Sequence, residues 1–429
     1  MTRAGPLLGA ATVTLLALPS VALAQEGRFS TDVSTTVGFS NNPFATTGGD
    51  TSSALVSIDV LPRYQWLTAR STFTLSGAAS LQQYLRRYSR NDSYSAAVDW
   101  SYRASERVTA HTRLDVSSAV LGASSSYVPI ASSFSPIGST PGVGTVVGQN
   151  GAVAGQTGTV APVTAATSFP ALTDIGLFGF RNRRRLARLS GDVGASLSTR
   201  DSLSISAYVE ATRYRNLPLA GDYEAYGGTV GYSRRVSERA SLGVRASGSY
   251  YNYRQNSSDS QVFSLEATGS ARLSEVWTVD GALGASFVSS GAVGSTRRTS
   301  VSGDINACRR GERSSMCVQV SRQVSPTGLV GTQYVTSAGL NWSKQLGERE
   351  NLSLSGNYSK VGGDRTQLLL DGQQLRTEYA QAVIGYDRQL RERLRFVASA
   401  NYRKLFGRDA GRSDFGGQLG LSYRLGDVR

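Results

Sequence analysis

Six arginines are the residues best able to act on a ligand: Arg113, Arg184, Arg188, Arg245, Arg395 and Arg403. A guanidinium is a permanent, planar fork of donors suited to carboxylates and phosphates. All six fall on the polar phase of alternating segments, and Arg184 and Arg188 belong to the basic run Arg181-Asn182-Arg183-Arg184-Arg185-Leu186-Ala187-Arg188. Bordering a pore, such a set would select anionic solutes or an acidic polymer. At an outer rim, Arg184 and Arg188 would instead bind lipid phosphates. Asp99, Asp115, Glu266, Asp280, Asp304 and Asp387 share the polar phase, so some of the arginines are expected to pair with them.

Other chemistry is poorly supplied. The single histidine, His111, lies on the polar phase, and serine is too common for one hydroxyl to stand out as a nucleophile. The residues give no sign of an enzyme, a cofactor or a metal centre, since no histidine or third cysteine accompanies Cys308 and Cys317. These two cysteines flank Arg310-Gly311-Glu312-Arg313 symmetrically. A turn centred between Glu312 and Arg313 sets them opposite each other on adjacent strands, within disulfide reach. An exported chain meets an oxidising compartment, so a disulfide stapling this hairpin is expected.

The elements that position these groups are announced by a recurring mark. Ala104-Ser105-Glu106-Arg107, Val236-Ser237-Glu238-Arg239, Leu273-Ser274-Glu275-Val276, Arg310-Gly311-Glu312-Arg313, Leu346-Gly347-Glu348-Arg349 and Leu390-Arg391-Glu392-Arg393 are its copies, with Ser198-Thr199-Arg200-Asp201 a looser one. Asp201, Glu238, Glu275, Glu312 and Glu348 lie 37, 37, 37 and 36 residues apart. A helical solenoid has such periods too, but here the intervening residues alternate apolar and polar with period two, the pattern of strands. Each period is read as two strands, one longer loop and one tight turn. Counting strands by this alternation gives about 18, an even number, with every mark on one side and every longer loop on the other. That is an up-and-down antiparallel all-β transmembrane barrel. Trp100, Tyr102, Tyr232, Trp342, Tyr386 and Tyr423 gather beside the marks as an interfacial girdle would.

Export is written at the N-terminus. Met1-Thr2-Arg3, an apolar run and Val21-Ala22-Leu23-Ala24 predict a signal peptide over 1–24. The barrel is then 25–429, interrupted by a Gly-, Ser-, Thr-, Ala- and Pro-rich segment at 121–183, read as a long third outer loop that narrows the lumen or lies outside as a flap. A hydrophobic share of 40% is low for a chain of 429 residues, yet a single layer of strands round a wet interior needs few apolar residues. With 45 Lys and Arg against 31 Asp and Glu the net charge is +14. Export and the lack of any recognition motif argue against nucleic acid as the partner.

Gln418, Gly420, Tyr423 and Leu425 of the last strand resemble the assembly signal by which the barrel-insertion machinery recognises bacterial outer-membrane barrels, although four residues trail it. The mature chain also resembles a family of alphaproteobacterial outer-membrane β-barrel porins. Gly38-Phe39-Ser40-Asn41-Asn42-Pro43-Phe44, Ser321-Arg322-Gln323-Val324-Ser325-Pro326-Thr327-Gly328 and the Ser-Glu-Arg turns carry that resemblance. Members of the family often accompany exopolysaccharide loci. The resemblance therefore implies a conduit for an anionic exopolysaccharide in the bacterial outer membrane, working with periplasmic polysaccharide-export proteins. The rival expectations are a passive diffusion porin for small anions and a structural or adhesin barrel with a plugged lumen. Outer-membrane lipid and lipopolysaccharide are the expected surroundings.

Overall fold

The computed structural model describes residues 26–46, 51–121, 123, 174, 178, 181–215, 221–254, 259–290, 296–328, 331–362, 369–370, 373–374, 378–406 and 412–426. The expected signal peptide and most of the long segment 121–183 lie outside the described residues. The strands are β1 (Glu26–Ser40), β2 (Ser53–Leu67), β3 (Ser71–Tyr84), β4 (Asn91–Arg103), β5 (Val108–Val120), β6 (Arg183–Ser196), β7 (Asp201–Arg215), β8 (Tyr223–Arg235), β9 (Ala240–Tyr253) and β10 (Ser260–Arg272). They continue with β11 (Trp277–Ser290), β12 (Thr296–Arg310), β13 (Ser314–Thr327), β14 (Gly331–Gln345), β15 (Glu350–Gly362), β16 (Leu369–Leu370), β17 (Gln373–Gln374), β18 (Glu378–Gln389), β19 (Leu394–Phe406) and β20 (Arg412–Gly426). The two-residue strands β16 and β17 pair only with each other, and the other 18 form one antiparallel sheet.

That sheet closes on itself. β20 pairs with β19 and then with β1, from Ser30↔Gly426 to Ser40↔Gly416. Closure matters because lipid offers no hydrogen-bond partner to an open strand edge. Gly420 of the last-strand signal sits in this seam, where a Cβ would fall onto the carbonyl oxygen of Thr35. Asp32 and Arg424 pair across the same seam at 2.9 Å.

The barrel is apolar outside and polar inside. Leu242, Leu283 and Val301 are exposed, whereas Thr212, Ser264, Glu266 and Ser359 are buried. In water this distribution would be costly; in a bilayer each outward Leu or Ile gains about 2 kcal/mol by leaving water. A closed antiparallel sheet of this kind is the architecture of outer-membrane barrels. They run to 12–15 residues, longer than the ~9–11 a bilayer requires, so their ends project beyond the membrane.

The marks form the tight turns at the end where β1 begins and β20 finishes. Each serine hydroxyl accepts backbone N–H groups of its own turn: Ser105 from Arg107 and Val108, Ser198 from Arg200 and Asp201, Ser274 from Val276 and Trp277. This local bonding explains the serine, and the exposed Glu and Arg beside it keep the turns in water.

One seam differs. β12 and β13 share eight residue pairs, from Gly303↔Arg322 to Arg310↔Ser315, fewer than any other neighbouring pair in the barrel. Cys308 and Cys317 are opposite in this ladder, with Cα atoms 4.1 Å apart, and are joined by a disulfide. Above Arg322, β13 leaves the wall but stays with β14 as far as Thr327↔Gly331.

Two outcomes test these seams. Gly420→Leu should sharply reduce the heat-modifiable, folded form of the barrel on electrophoresis, since overpacking a tight contact costs about 1–3 kcal/mol or more; an unchanged folded fraction would count against the seam's tightness. Cys308→Ser should lower the unfolding midpoint, the loop-closure contribution being about 2–3 kcal/mol, and reduction by a thiol should lower the wild-type midpoint but not that of the variant.

Candidate functional site: the outer constriction

Along β10, the inward residues Ser260, Val262, Ser264 and Glu266 are buried, while Thr268 and Ser270, nearer the tight turns, are only partly so. The lumen is therefore filled in its outer half and wetter below. Two segments, with Asp174 and Phe178 of the long connection, do the filling, and buried ion pairs of Arg403 and Arg184 anchor the first and the last.

The first is the loop after β1. Arg403 of β19, 3% exposed, donates from Nε to Asp414 Oδ2 at 2.8 Å. Its Nη2 donates to the carbonyls of Asn42 at 3.0 Å and Pro43 at 2.6 Å. The other Asp414 oxygen accepts Ser40 Oγ at 2.6 Å and the Asn42 N–H at 3.0 Å. These bonds draw the loop inward, so that Phe44 is fully buried against Tyr84 and Tyr88 with the Arg181 guanidinium 4.7 Å from its ring centroid.

The second is the bent end of β13. Val324 is buried in one cluster with Tyr223, Tyr251, Tyr253, Val262 and Val288, which line the inner wall of β8 to β11. The Gly221 N–H donates to the Gly328 carbonyl at 2.6 Å, tying the tip to the end of the β7–β8 connection.

The third comes from the long connection. Asp174 accepts the Gly328 N–H at 2.8 Å and the Tyr214 hydroxyl at 2.7 Å, and faces Arg184 at 3.5 Å. Burial pushes its carboxyl above the ordinary range, and the attraction of Arg184 opposes that only in part. Phe178 meets Tyr379 of β18 edge-on, centroids 5.3 Å apart. Phe178 precedes β6, and β18 lies eight steps away round the wall by way of β1 and β20, so this contact is made from nearly the opposite side of the lumen.

The six arginines expected to line a pore all face acidic partners. Arg113 meets Asp115 at 2.7 Å and Asp99 at 3.5 Å. Arg188 meets Glu210 at 3.5 Å and lies over the Tyr208 ring. Arg245 bridges Glu266 and Asp304 at 2.6 and 3.0 Å, Arg395 meets Asp387 at 3.4 Å, and Arg184 and Arg403 are the pins already described. The inward arginines thus form no unopposed positive lining. His111 is held the same way, with Nε2 3.0 Å from Asp99 and Nδ1 3.2 Å from Asp192.

Positive charge is exposed elsewhere. Arg107, Arg239, Arg313, Arg349 and Arg393 ring the tight turns, and Arg86, Arg90 and Arg181 stand exposed at the outer mouth. Of the last-strand signal, Gln418 points inward and accepts the Thr36 hydroxyl at 3.2 Å, while Tyr423 and Leu425 face lipid. Sequence reasoning did not single out Asp174, Glu210 or Asp414. The two proline-bearing segments, Asn42-Pro43-Phe44 and Ser325-Pro326-Thr327-Gly328, were the signal that could have led to them.

No protein-family model and no curated protein matches the chain. Among solved structures it is similar to OccK2 (OpdF) of Pseudomonas aeruginosa in complex with glucuronate, at 11% identity, with 94% of this chain and 98% of that one covered and a TM-score of 0.41. It is similar to OprD of the same organism at 9% identity, with 93% and 95% covered and a TM-score of 0.40. A BenF-like porin from Pseudomonas fluorescens Pf-5 gives 8% identity, 94% and 99% covered and a TM-score of 0.41.

If Arg403 pins the mouth, Arg403→Ala should cost about 3–5 kcal/mol, because it leaves Asp414 buried without its partner. The unfolding midpoint should fall well below that of the exposed-rim control Arg393→Ala. Equal midpoints for the two variants would refute the pin.

Proposed function

We propose that the chain is a diffusion pore for small solutes in the bacterial outer membrane, with a mild preference for anions. The observation that carries this reading is the filled outer half of the lumen above a wetter lower half. A barrel of this width, narrowed at one level by segments pinned to its own wall, sorts solutes by size and passes them without a moving part. The charge preference rests on position. Inside, arginine is matched by Asp and Glu, so the lumen wall contributes little net field. Exposed arginine at both mouths supplies a positive potential that concentrates anions at the openings.

The second reading, export of an anionic exopolysaccharide, rests on the family resemblance alone. A polymer chain needs a continuous wide lumen, and inward segments anchored to the wall by buried ion pairs and hydrogen bonds weigh against one. A barrel with a sealed lumen is the third reading.

Recording in planar bilayers separates these. Wild-type protein should show discrete openings with chloride favoured over potassium by a small factor, falling toward unity in 1 M salt as screening shortens the field to about 3 Å. Arg403→Ala should open wider. No openings from either protein would establish the sealed barrel instead. Deleting the gene should leave polymer secretion unchanged, and lost secretion would restore the export reading.

A further inference from the structure

The tight turns repeat one backbone contact. The carbonyl of the last residue of each turn accepts the N–H of the residue opposite it on the neighbouring hairpin. Arg70 accepts from Arg103, Arg107 from Ser196, Arg200 from Arg235 and Arg239 from Arg272, and the series runs on to Arg393 from Arg424. The eight bonds measure 2.7–2.9 Å. Each extends a ladder by one residue on the lumen phase: Arg103 keeps the phase of Asp99 on β4, and Arg272 that of Glu266 on β10. Of the sixteen residues so joined, twelve are arginine and none is acidic. The backbone contact does not ask for arginine, since Val276 makes it equally well with Arg310.

The outward row beside it mixes both signs, with Asp201 facing Arg234 at 3.9 Å and Glu350 facing Arg388 at 3.4 Å. Charge is therefore balanced where the wall meets lipid and unbalanced where the lumen opens. Two pairs of the lumen row, Arg70 with Arg103 and Arg239 with Arg272, set exposed arginines directly against each other. None of the four makes an ion pair among the described residues. Carboxylates further up the lumen are engaged: Asp99 is shared by His111 and Arg113, and Asp280 accepts Asn306. The turn that ends in Arg70 reads Thr68-Ala69-Arg70 and holds no acid. Opposed residues of a ladder have Cα atoms about 5.5 Å apart, and like charges placed so destabilise a sheet. A guanidinium cannot shed its proton to relieve the repulsion.

We propose that this lip binds small oxyanions carrying two or more negative charges, each bridging one opposed pair, Arg70 with Arg103 or Arg239 with Arg272. A guanidinium fork matches one carboxylate or one edge of a phosphate. A monovalent anion thus satisfies one arginine of a pair and leaves the other opposed, whereas a di- or tricarboxylate satisfies both. The other arginines of the row raise the local concentration of such anions through their field. Tight turns face the periplasm in the outer-membrane arrangement, so the site guards the periplasmic mouth. The inference deepens the pore reading by naming the solutes held there; it rests on that reading for passage, but not for binding.

The test is equilibrium dialysis of the full-length mature barrel, in a zwitterionic detergent, against radiolabelled citrate or acetate at constant ionic strength. Citrate should bind saturably and roughly tenfold or more tightly than acetate, the worth of one added charged hydrogen-bonded contact. The quadruple variant Arg70→Gln, Arg103→Gln, Arg239→Gln, Arg272→Gln should weaken citrate by roughly tenfold or more on the same ground. A control that removes equal charge from exposed arginines at the outer end, Arg86→Gln, Arg90→Gln, Arg185→Gln, Arg215→Gln, should leave citrate binding unchanged. If the lip quadruple fails to fold, Arg70→Gln with Arg103→Gln should halve the number of citrate sites. Equal affinity for citrate and acetate, or the same loss in both quadruple variants, would overturn the proposal. Bilayer recordings keep the two readings apart. Currents without citrate binding sink this inference alone, and citrate binding without currents sinks the pore reading alone.

Discussion

Every backbone N–H and C=O that crosses lipid must find its partner within the protein, and everything else in this molecule follows from that requirement. It forces the sheet to close, and closure fixes two faces with opposite solvents. A strand then has no freedom in parity: one slipped residue would put its serines and arginines in lipid and its leucines in water. The low apolar content of the chain is a consequence, because only the outward half of each strand has to be apolar. Asp32 with Arg424, and Gly420 against Thr35, show how much chemistry is concentrated where the first and last strands must meet.

The same geometry explains why charge is spent on position inside the barrel. A polar lumen half-filled by its own loops has few apolar contacts with which to hold them. Arg403 and Asp414 instead hold backbone atoms of Asn42 and Pro43, and Asp174 holds the Gly328 N–H. These are satisfied, low-dielectric hydrogen bonds to groups that cannot rotate away, which suits them to fixing a constriction more than to catching a passing ion. The surplus of arginine is left to the rims, where water screens it.

Much of the fold was legible in the sequence because period two is a local signal. The strands, the side on which the Ser-Glu-Arg turns lie, the register that sets Cys308 opposite Cys317 and the outward phase of Tyr423 and Leu425 all follow from residues within one hairpin. The constriction was not legible. Asp414 holds Ser40 across 374 residues of sequence, and Asp174 meets Gly328 across 154. Alternation along a strand says that Arg403 faces inward, but not that a carboxylate and two carbonyls already occupy it. The same limit hid the departure of β13 from the wall: its residues keep alternating while the strand bends, and only the loss of partners from Ser302 upward on β12 marks the change.

The covalent link in the shortest ladder bears on how such a chain is made. A disulfide between directly opposed residues admits one alignment of its hairpin, with Cys308 facing Cys317. The disulfide thus fixes the alignment of β12 with β13 at the seam with the fewest paired residues. One covalent bond there does what eleven or more residue pairs do at most other seams: it admits a single register.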